Sequence, residues 1–210
     1  MLKKRNFLVF LFSVAAIGTF SITPASLAQN TNEQAATTLI KTMGDDAIKT
    51  LSNKSLTESQ KEHQFEKYLD DSFNMKLIGR FVLGNNWRTA TDEQRKNFLN
   101  VFREYMVVSY GQKIGSYSGE SLKIKDAKPI NDKETLVYSV IEQPNGPPIK
   151  LNWRVRKSKD GQQQIVDVIV EGVSLAVTQR SEFSAVVNKP GVGVDGLIKK
   201  LQEQVKSEGS

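Results

Sequence analysis

The sequence has no cysteine, a single histidine and only one short apolar run, and each shortage excludes a class of protein. Without cysteine, the chain can form no disulfide and cannot be a lipoprotein acylated on an N-terminal cysteine. The apolar run, from Phe7 to Ile17, is shorter than the roughly 20 residues that a membrane-spanning helix needs. The chain must therefore be stabilised by its hydrophobic core alone.

Motifs typical of catalytic, metal-binding or cofactor-binding sites are rare in this sequence, which argues against an enzyme or a cofactor protein. His63 stands in a polar helical stretch, without the partners that a metal site or a catalytic triad requires, and is predicted to lie on the surface. The segment "GVGVDG" lacks the preceding strand and the Lys-Ser/Thr pair of a phosphate-binding loop. No cluster of Lys and Arg is interleaved with aromatic residues, so nucleic acid is excluded as a partner. We predict no cofactor and no metal.

The N-terminus has the pattern of a secretory signal peptide over residues 1–28. A basic start at Lys3 to Arg5 precedes the apolar run, and Ser26 and Ala28 supply the small side chains that favour cleavage after Ala28. Cleavage would lower the net charge from +6 to +3, since three basic residues and no acid lie in this segment. The sequence therefore predicts export to the periplasm.

The remaining chain divides into a helical half and a β half. Apolar residues recur at helical spacing within residues 31–53, 57–73, 75–87 and 91–115, with Thr57 as a cap and Thr91 and Gln94 as a capping box. From Leu122 the period changes to two, which predicts strands at residues 122–127, 134–142, 149–157 and 165–171. Short turns between consecutive strands favour an antiparallel meander, and the fold class is α+β.

This organisation predicts one α+β domain over residues 29–188. A Gly/Pro linker and a short helix would follow at residues 189–210. We expect a curved antiparallel sheet of four to five strands, with helices packed on one face around an apolar pocket.

Asp167, in the apolar strand "IVDVIVE", allows two interpretations. Alternation places it opposite Val166, Val168 and Val170. In a cone-shaped cavity, burial would raise the pKa of such a carboxyl group and suit it to act as a general base. On the less buried face it would instead be a structural acid beside the basic residues of the strand "KLNWRVRK". Because the valine face is free of polar groups, we favour the structural interpretation.

Two blocks of sequence carry a resemblance to a known family. They are "RFVLGNNWRTATDEQRKNFLNVFREYMVVSYG", with Trp87-Arg88 before its helix start, and "IVDVIVEGVSLAVTQRSEFSAVV", with Arg180 and Phe183 after Glu171 to Ser174. These blocks resemble the toluene-tolerance family, the periplasmic phospholipid-binding (MlaC) proteins of the maintenance-of-lipid-asymmetry system. A hopanoid-associated branch of the family shares them.

The resemblance implies a carrier rather than an enzyme. Its ligand would be a phospholipid whose acyl chains lie between helices and sheet. Its partners would be the periplasmic subunit of an inner-membrane ABC transporter and an outer-membrane lipoprotein-porin complex. The residues expected to line the lipid site are Phe102, Tyr105, Met106, Leu151, Trp153, Val155, Val166, Val168, Val170 and Val173.

Three alternatives to a phospholipid carrier remain at this point. They are a small cone-fold enzyme that uses Asp167 as a general base, a carrier of hopanoid or another lipid, and a ligand-free adaptor that binds a protein partner. The basic side chains of Lys150, Arg154 and Arg156 share one strand face, which could meet acidic partner surfaces or headgroups.

Overall fold

The structure, a computed structural model, describes residues 24–114 and 119–208. Most of the predicted signal peptide, residues 1–23, lies outside this range. The described chain forms seven helices: α1 (Pro24–Ser52), α2 (Glu58–Ser72), α3 (Met75–Leu83), α4 (Asn86–Thr89), α5 (Asp92–Ile114), α6 (Leu175–Val187) and α7 (Gly193–Glu208). The strands are β1 (Ser121–Asn131), β2 (Glu134–Glu142), β3 (Ile149–Lys157), β4 (Gln163–Val170) and β5 (Val173–Ser174).

The helix starts follow from their capping residues. Thr91 and Gln94 exchange two hydrogen bonds, in which each side chain accepts from the other residue's backbone N–H at 2.9 and 3.1 Å, and the capping box predicted there is confirmed. Thr57 and Gln60 form the same motif at α2. Ser174 caps α6, because its hydroxyl accepts from the N–H of Val177 at 3.1 Å.

The five strands form one antiparallel sheet in the order β1-β2-β3-β4-β5, which is an open meander. Gly161 and Gly172 have φ of 89° and 86°, and they allow the tight turns after β3 and β4. The predicted α+β class, with an antiparallel sheet and packed helices, is confirmed.

One face of the sheet, called here the inner face, is covered by α1. Trp153 pairs with Val137 on one side and Val168 on the other, so these three side chains point to this face. Ala36 and Ile40 of α1 are fully buried against it. At Gly44 the helix approaches so closely that an added Cβ would collide with Leu122, which explains the glycine.

Two separate hydrophobic cores result. The sheet core joins α1 to the inner face, and its buried members are Ala36, Ile40, Val137, Trp153, Val155 and Ile165. The helical core joins α3, α5, α6 and α7, and its buried members are Ile78, Val82, Leu83, Phe98, Val101, Phe102, Ala176, Phe183, Val187, Leu197, Ile198 and Leu201. Among the residues that the structure describes, only Phe73, which directly follows α2, packs against both.

The C-terminal helix belongs to the helical core. Leu197, Ile198 and Leu201 of α7 are buried, and α7 packs along α5. The division of the chain at residue 188 stays a prediction, but the helix beyond it contributes to the same core as the preceding residues.

Candidate functional site

The two cores meet along a gap between the helical core and β4, which we call the seam. It holds a narrow cavity of about 40 Å³. Most of the side chains that line it are apolar, and they come from α2, α3, α5, β4 and α6: Phe73, Ile78, Val82, Phe102, Met106, Tyr110, Asp167, Val168, Leu175, Ala176 and Gln179. The seam is therefore a boundary at which two packed hydrophobic surfaces lie against each other without merging.

A β-bulge in β4 determines which side chains reach the seam. Ile165 pairs with Val155, but Asp167 pairs with the adjacent Arg154, so Val166 is an extra residue in β4. Ile165 consequently shares the inner face with Val168, whereas strict alternation had placed them on opposite faces. The inward orientation predicted for Val168 agrees with the register.

Asp167 is buried, with 9% of its surface exposed, so the prediction that it lies on the less buried face is wrong. Arg154 of the neighbouring basic strand is its cross-strand partner, as expected. Its carboxylate accepts one hydrogen bond from Ser174 Oγ at 2.6 Å and one from the N–H of Ala176 at 3.1 Å. The start of α6 covers it, and a carboxylate there satisfies a helix N–H and complements the helix dipole. Asp167 thus connects β4 to α6.

Three of the residues predicted to line a lipid site come together at the seam: Phe102 and Met106 of α5 and Val168 of β4. Tyr105 packs on the helical core, with its ring centroid 6.1 Å from that of Phe183. The remaining predicted residues lie on the strands.

Among these strand residues, Leu151, Trp153 and Val155 lie in the sheet core beside the seam. Val166 and Val170 are half-buried. Val173 differs from all of them, since it is 58% exposed on the two-residue strand β5. Val173 belongs to the second sequence block that carries the family resemblance, but its position at the edge of the sheet leaves it in solvent.

Several seam residues were absent from the predicted set, and so was Phe183 of the helical core. Phe183 and the seam residue Phe73 nevertheless carry a signal in the sequence. Phe183 packs edge-on against Phe98 and Phe102, with both pairs of ring centroids 5.9 Å apart, and it is part of the family pattern. Phe73 falls on the apolar stripe of α2. Tyr110 has no such signal; burial, with smaller contributions from Tyr105 and Glu182, raises the pKa of its phenol.

A larger cavity lies elsewhere. It measures about 550 Å³ and lies between α1 and α2, where Leu39 and Met43 share the lining with Asp46, Lys49, Lys67 and Asp71. A hydrogen bond of 2.8 Å between Thr50 and Tyr68 links its two walls. The charged groups in its lining make this cleft a poor place for acyl chains, so we assign the apolar site to the smaller seam.

The basic strand face is partly neutralised. Arg154 donates two hydrogen bonds to Glu134, at 2.8 and 2.6 Å, and Arg156 donates one at 3.2 Å. Glu134 itself is buried. Arg154 and Arg156, two of the three cations predicted to dock a partner, are therefore paired with an internal carboxylate, whereas Lys150 is exposed. His63 also lies on the surface as predicted, with a side chain that is 80% exposed.

The fold and the seam together define a class: an α+β domain whose open antiparallel sheet and helical core face each other across an apolar boundary. The profile of the MlaC protein family matches residues 41–203, and the chain belongs to this family. The family resemblance identified from the two sequence blocks is confirmed.

Individual relatives agree with this assignment. The chain is 32% identical over 133 residues to the intermembrane phospholipid transport system binding protein MlaC of Haemophilus influenzae. It is 23% identical over 111 residues to the toluene tolerance protein ttg2D of Pseudomonas putida. These matches cover 62% and 53% of this chain, and they span 61% and 51% of the relatives' lengths.

A solved structure shares the fold. It is the phospholipid-binding protein of Ralstonia solanacearum in complex with a phospholipid, with a TM-score of 0.73 and 24% identity. The likeness covers 83% of this chain and 99% of that one. The names of all three proteins describe binding, transport or tolerance, and none names a catalysed reaction.

Within residues 24–114 and 119–208, no helix is long and apolar enough to cross a membrane.

Proposed function

We propose that this protein is a phospholipid carrier that accommodates acyl chains between the helical core and the sheet, at the seam. The observation that carries the proposal is the apolar boundary itself, where Phe102, Met106 and Val168 meet around a cavity although the two cores remain separate. The relatives named for phospholipid transport and phospholipid binding support the same ligand class.

Acyl chains require the seam to widen. Sites for drug-sized ligands have volumes of about 300–1,000 Å³, and the cavity at the seam has about 40 Å³. Widening it means moving the helical core away from β4. The hydrogen bonds that join β1 to β4 would stay intact, because the helical core packs mainly on β4, next to the short edge strand β5. Val168 would then contact the lipid from the sheet, and Phe102 and Met106 from α5.

The predicted strand residues extend this surface. Leu151, Trp153 and Val155 of the sheet core, with Val166 and Val170 of β4, would contact the chains once the seam opens, and Tyr105 would flank them. Val173 is a weaker candidate, because it is exposed beyond the end of β4. We assign no catalytic role to Asp167, since both carboxylate oxygens accept hydrogen bonds at the start of α6.

The energetics of acyl chains indicate how such a carrier must unload. Two chains hold about 30 methylene groups, and each contributes about 0.8 kcal/mol when it is removed from water. Their sum exceeds the practical affinity limit of about 20 kcal/mol, so release into water is negligibly slow. Transfer to another apolar site carries no such cost, and the carrier therefore needs docking partners that open it.

The partners we propose are those of the family: the periplasmic subunit of an inner-membrane ABC transporter, and an outer-membrane lipoprotein-porin complex. This role requires export, and we propose that the chain reaches the periplasm through a signal peptide cleaved after Ala28. The domain that carries the site would begin after that cleavage.

The test of the proposal is a comparison of two glutamate variants. Val168→Glu places a carboxylate among the acyl chains, where an unpaired charge costs several kcal/mol. Val173→Glu adds the same group at an exposed position five residues away. Both proteins are purified from the host periplasm, and the phospholipid per folded protein is measured by native mass spectrometry and organic extraction.

We expect the wild type and Val173→Glu to retain lipid, and Val168→Glu to lose most of it. If Val168→Glu fails to fold, Val168→Phe tests the same site, because it fills the seam without adding a charge. This variant should also lower the amount of lipid bound per protein. Extraction of wild-type protein that yields no lipid would remove the carrier proposal. Equal occupancy in folded Val168→Glu and Val173→Glu would place the lipid elsewhere.

A further inference from the structure

A second cleft, of about 330 Å³, lies on the opposite side of α3 from the seam. Its lining comes from α3, from Trp87 of α4, and from the adjoining ends of β3 and β4: Asn74, Lys76, Leu77, Arg80, Trp87, Arg156, Ser158 and Gln164. We call it the basic cleft. Ile78 and Val82 of the same helix line the seam, so α3 separates an apolar site from a charged one.

The walls of the basic cleft are fixed to each other by hydrogen bonds. The N–H of Asn74 donates to the carbonyl of Ile165 at 2.9 Å, and its side-chain amide donates to Gln164 Oε1 at 2.8 Å. The side-chain oxygen of Asn74 also accepts from the N–H of Leu77 at 2.8 Å and so caps α3. One residue thus holds the start of α3 against β4, and the cleft between them is formed in advance.

The charges in the basic cleft are all of one sign. Lys76 and Arg80, one helical turn apart, are exposed, and neither forms an ion pair with any residue that the structure describes. Arg156 donates one hydrogen bond to Glu134, but the same carboxylate also accepts from Arg154. The two arginines and this one carboxylate together keep a net charge of +1. No carboxylate is among the lining residues.

This arrangement has the chemistry of a binding site for a phosphate group. Guanidinium groups offer paired N–H donors that fit phosphate oxygens, and a lysine adds a compact charge. Gln164, on one wall, carries a further amide, Ser158 a hydroxyl, and Trp87 a flat apolar surface. The concave shape and the volume suit a small anion with a polar substituent better than the flat contact of a protein surface.

We propose that the basic cleft binds a phosphate-type anion, either the headgroup of a lipid in a membrane or a free phosphate compound. The inference rests on the lining of this cleft and does not require acyl chains in the seam. A lipid headgroup bound here would orient the protein on a membrane surface with α3 toward the bilayer.

Trp87 provides the signal for a direct test. The chain has two tryptophans, and the other, Trp153, is buried in the sheet core away from the basic cleft. Trp87 is held in place by its carbonyl, which accepts from Arg95 Nε at 2.9 Å. Tryptophan fluorescence is titrated with inorganic phosphate, with glycerol 3-phosphate, and with vesicles of phosphatidylglycerol or phosphatidylcholine.

The variant Lys76→Gln/Arg80→Gln removes two cations of the basic cleft, and Lys199→Gln/Lys200→Gln removes two exposed cations from α7 as the matched control. We expect saturable binding to the wild type and the control, weakened about tenfold in the cleft variant by the loss of two charged donors. Lipid retained at the seam, measured by extraction, should be equal in all three proteins.

The probes identify the source of the phosphate. A response to phosphatidylglycerol vesicles, without one to soluble phosphates, supports a headgroup in a membrane, and a response to soluble phosphates supports a free phosphate compound. An unchanged affinity in the cleft variant overturns the proposal, as does the absence of any saturable response. Binding of polyglutamate in place of the phosphate probes would also overturn it, in favour of an acidic protein partner.

Discussion

Asp167 joins the sheet to α6, and replacing it tests whether this buried carboxylate is structural. It accepts hydrogen bonds from Ser174 Oγ and from the N–H of Ala176. Asp167→Asn keeps the shape but replaces charge-assisted bonds with neutral ones, at a cost of about 1–2 kcal/mol. Asp167→Ala leaves the N–H of Ala176 without its acceptor, at a cost of about 2–4 kcal/mol.

These free energies convert to measurable shifts. For domains of this size, 1 kcal/mol changes Tm by about 2–4 °C. We therefore expect circular dichroism melts to show Tm lowered by about 2–8 °C in Asp167→Asn, and by more in Asp167→Ala. Asp126→Asn is the control, because that acid is exposed. It forms an exposed ion pair with Lys128 at 3.3 Å and accepts a hydrogen bond from the N–H of Ala127 at 2.9 Å, which the asparagine oxygen can also accept, so the Tm should change little.

The lipid content separates the structural role from a functional one. Folded Asp167→Asn should carry as much lipid as the wild type, because the carboxylate is engaged with α6 and does not hold the ligand. An unchanged Tm in Asp167→Asn would refute the structural account. Lost lipid at an unchanged Tm would show that the carboxylate contacts the ligand, and loss of a hydrolytic activity present in the wild type would restore the enzyme alternative.

Two further predictions concern export and docking. Periplasmic protein should have the intact mass of a chain that starts at Gln29, because Ser26 and Ala28 fit the cleavage site; a mass that still includes residues 1–28 would contradict this. Lys150→Glu should slow association with the transporter's periplasmic subunit, and more so at low salt than at high salt, since Lys150 is the exposed cation of the basic strand face. Association rates equal to wild type at both salt concentrations would show that this face does not dock.

The sequence was sufficient for features that depend on neighbouring residues. The capping box of Thr91 and Gln94 and the cap at Ser174 are readable, because each uses residues three positions apart. The alternation in β3 correctly placed Trp153 and Val155 on the buried face, since side chains in a strand have a period of two. The family could be identified because two long blocks preserve its pattern.

The sequence was not sufficient where one residue in β4 departs from the regular period. Nothing local marks Val166 as the extra residue of a bulge, because a bulge is defined by the partner strand. The burial of Asp167 was missed for a related reason: α6 returns over the edge of the sheet, and only this return brings Ala176 and Ser174 to the carboxylate.

The sequence alone thus determined most of the helices and strands, several of their caps and the family, because periodicity and capping are local properties of the chain. The tertiary structure decided which elements face each other. It separated the helical core from the sheet core, placed Phe102 and Met106 beside Val168, and set Lys76 and Arg80 against Arg156 across a cleft. These pairs lie between about 60 and 80 residues apart, and contacts at such separations depend on the packing of whole helices and strands, which no local pattern specifies.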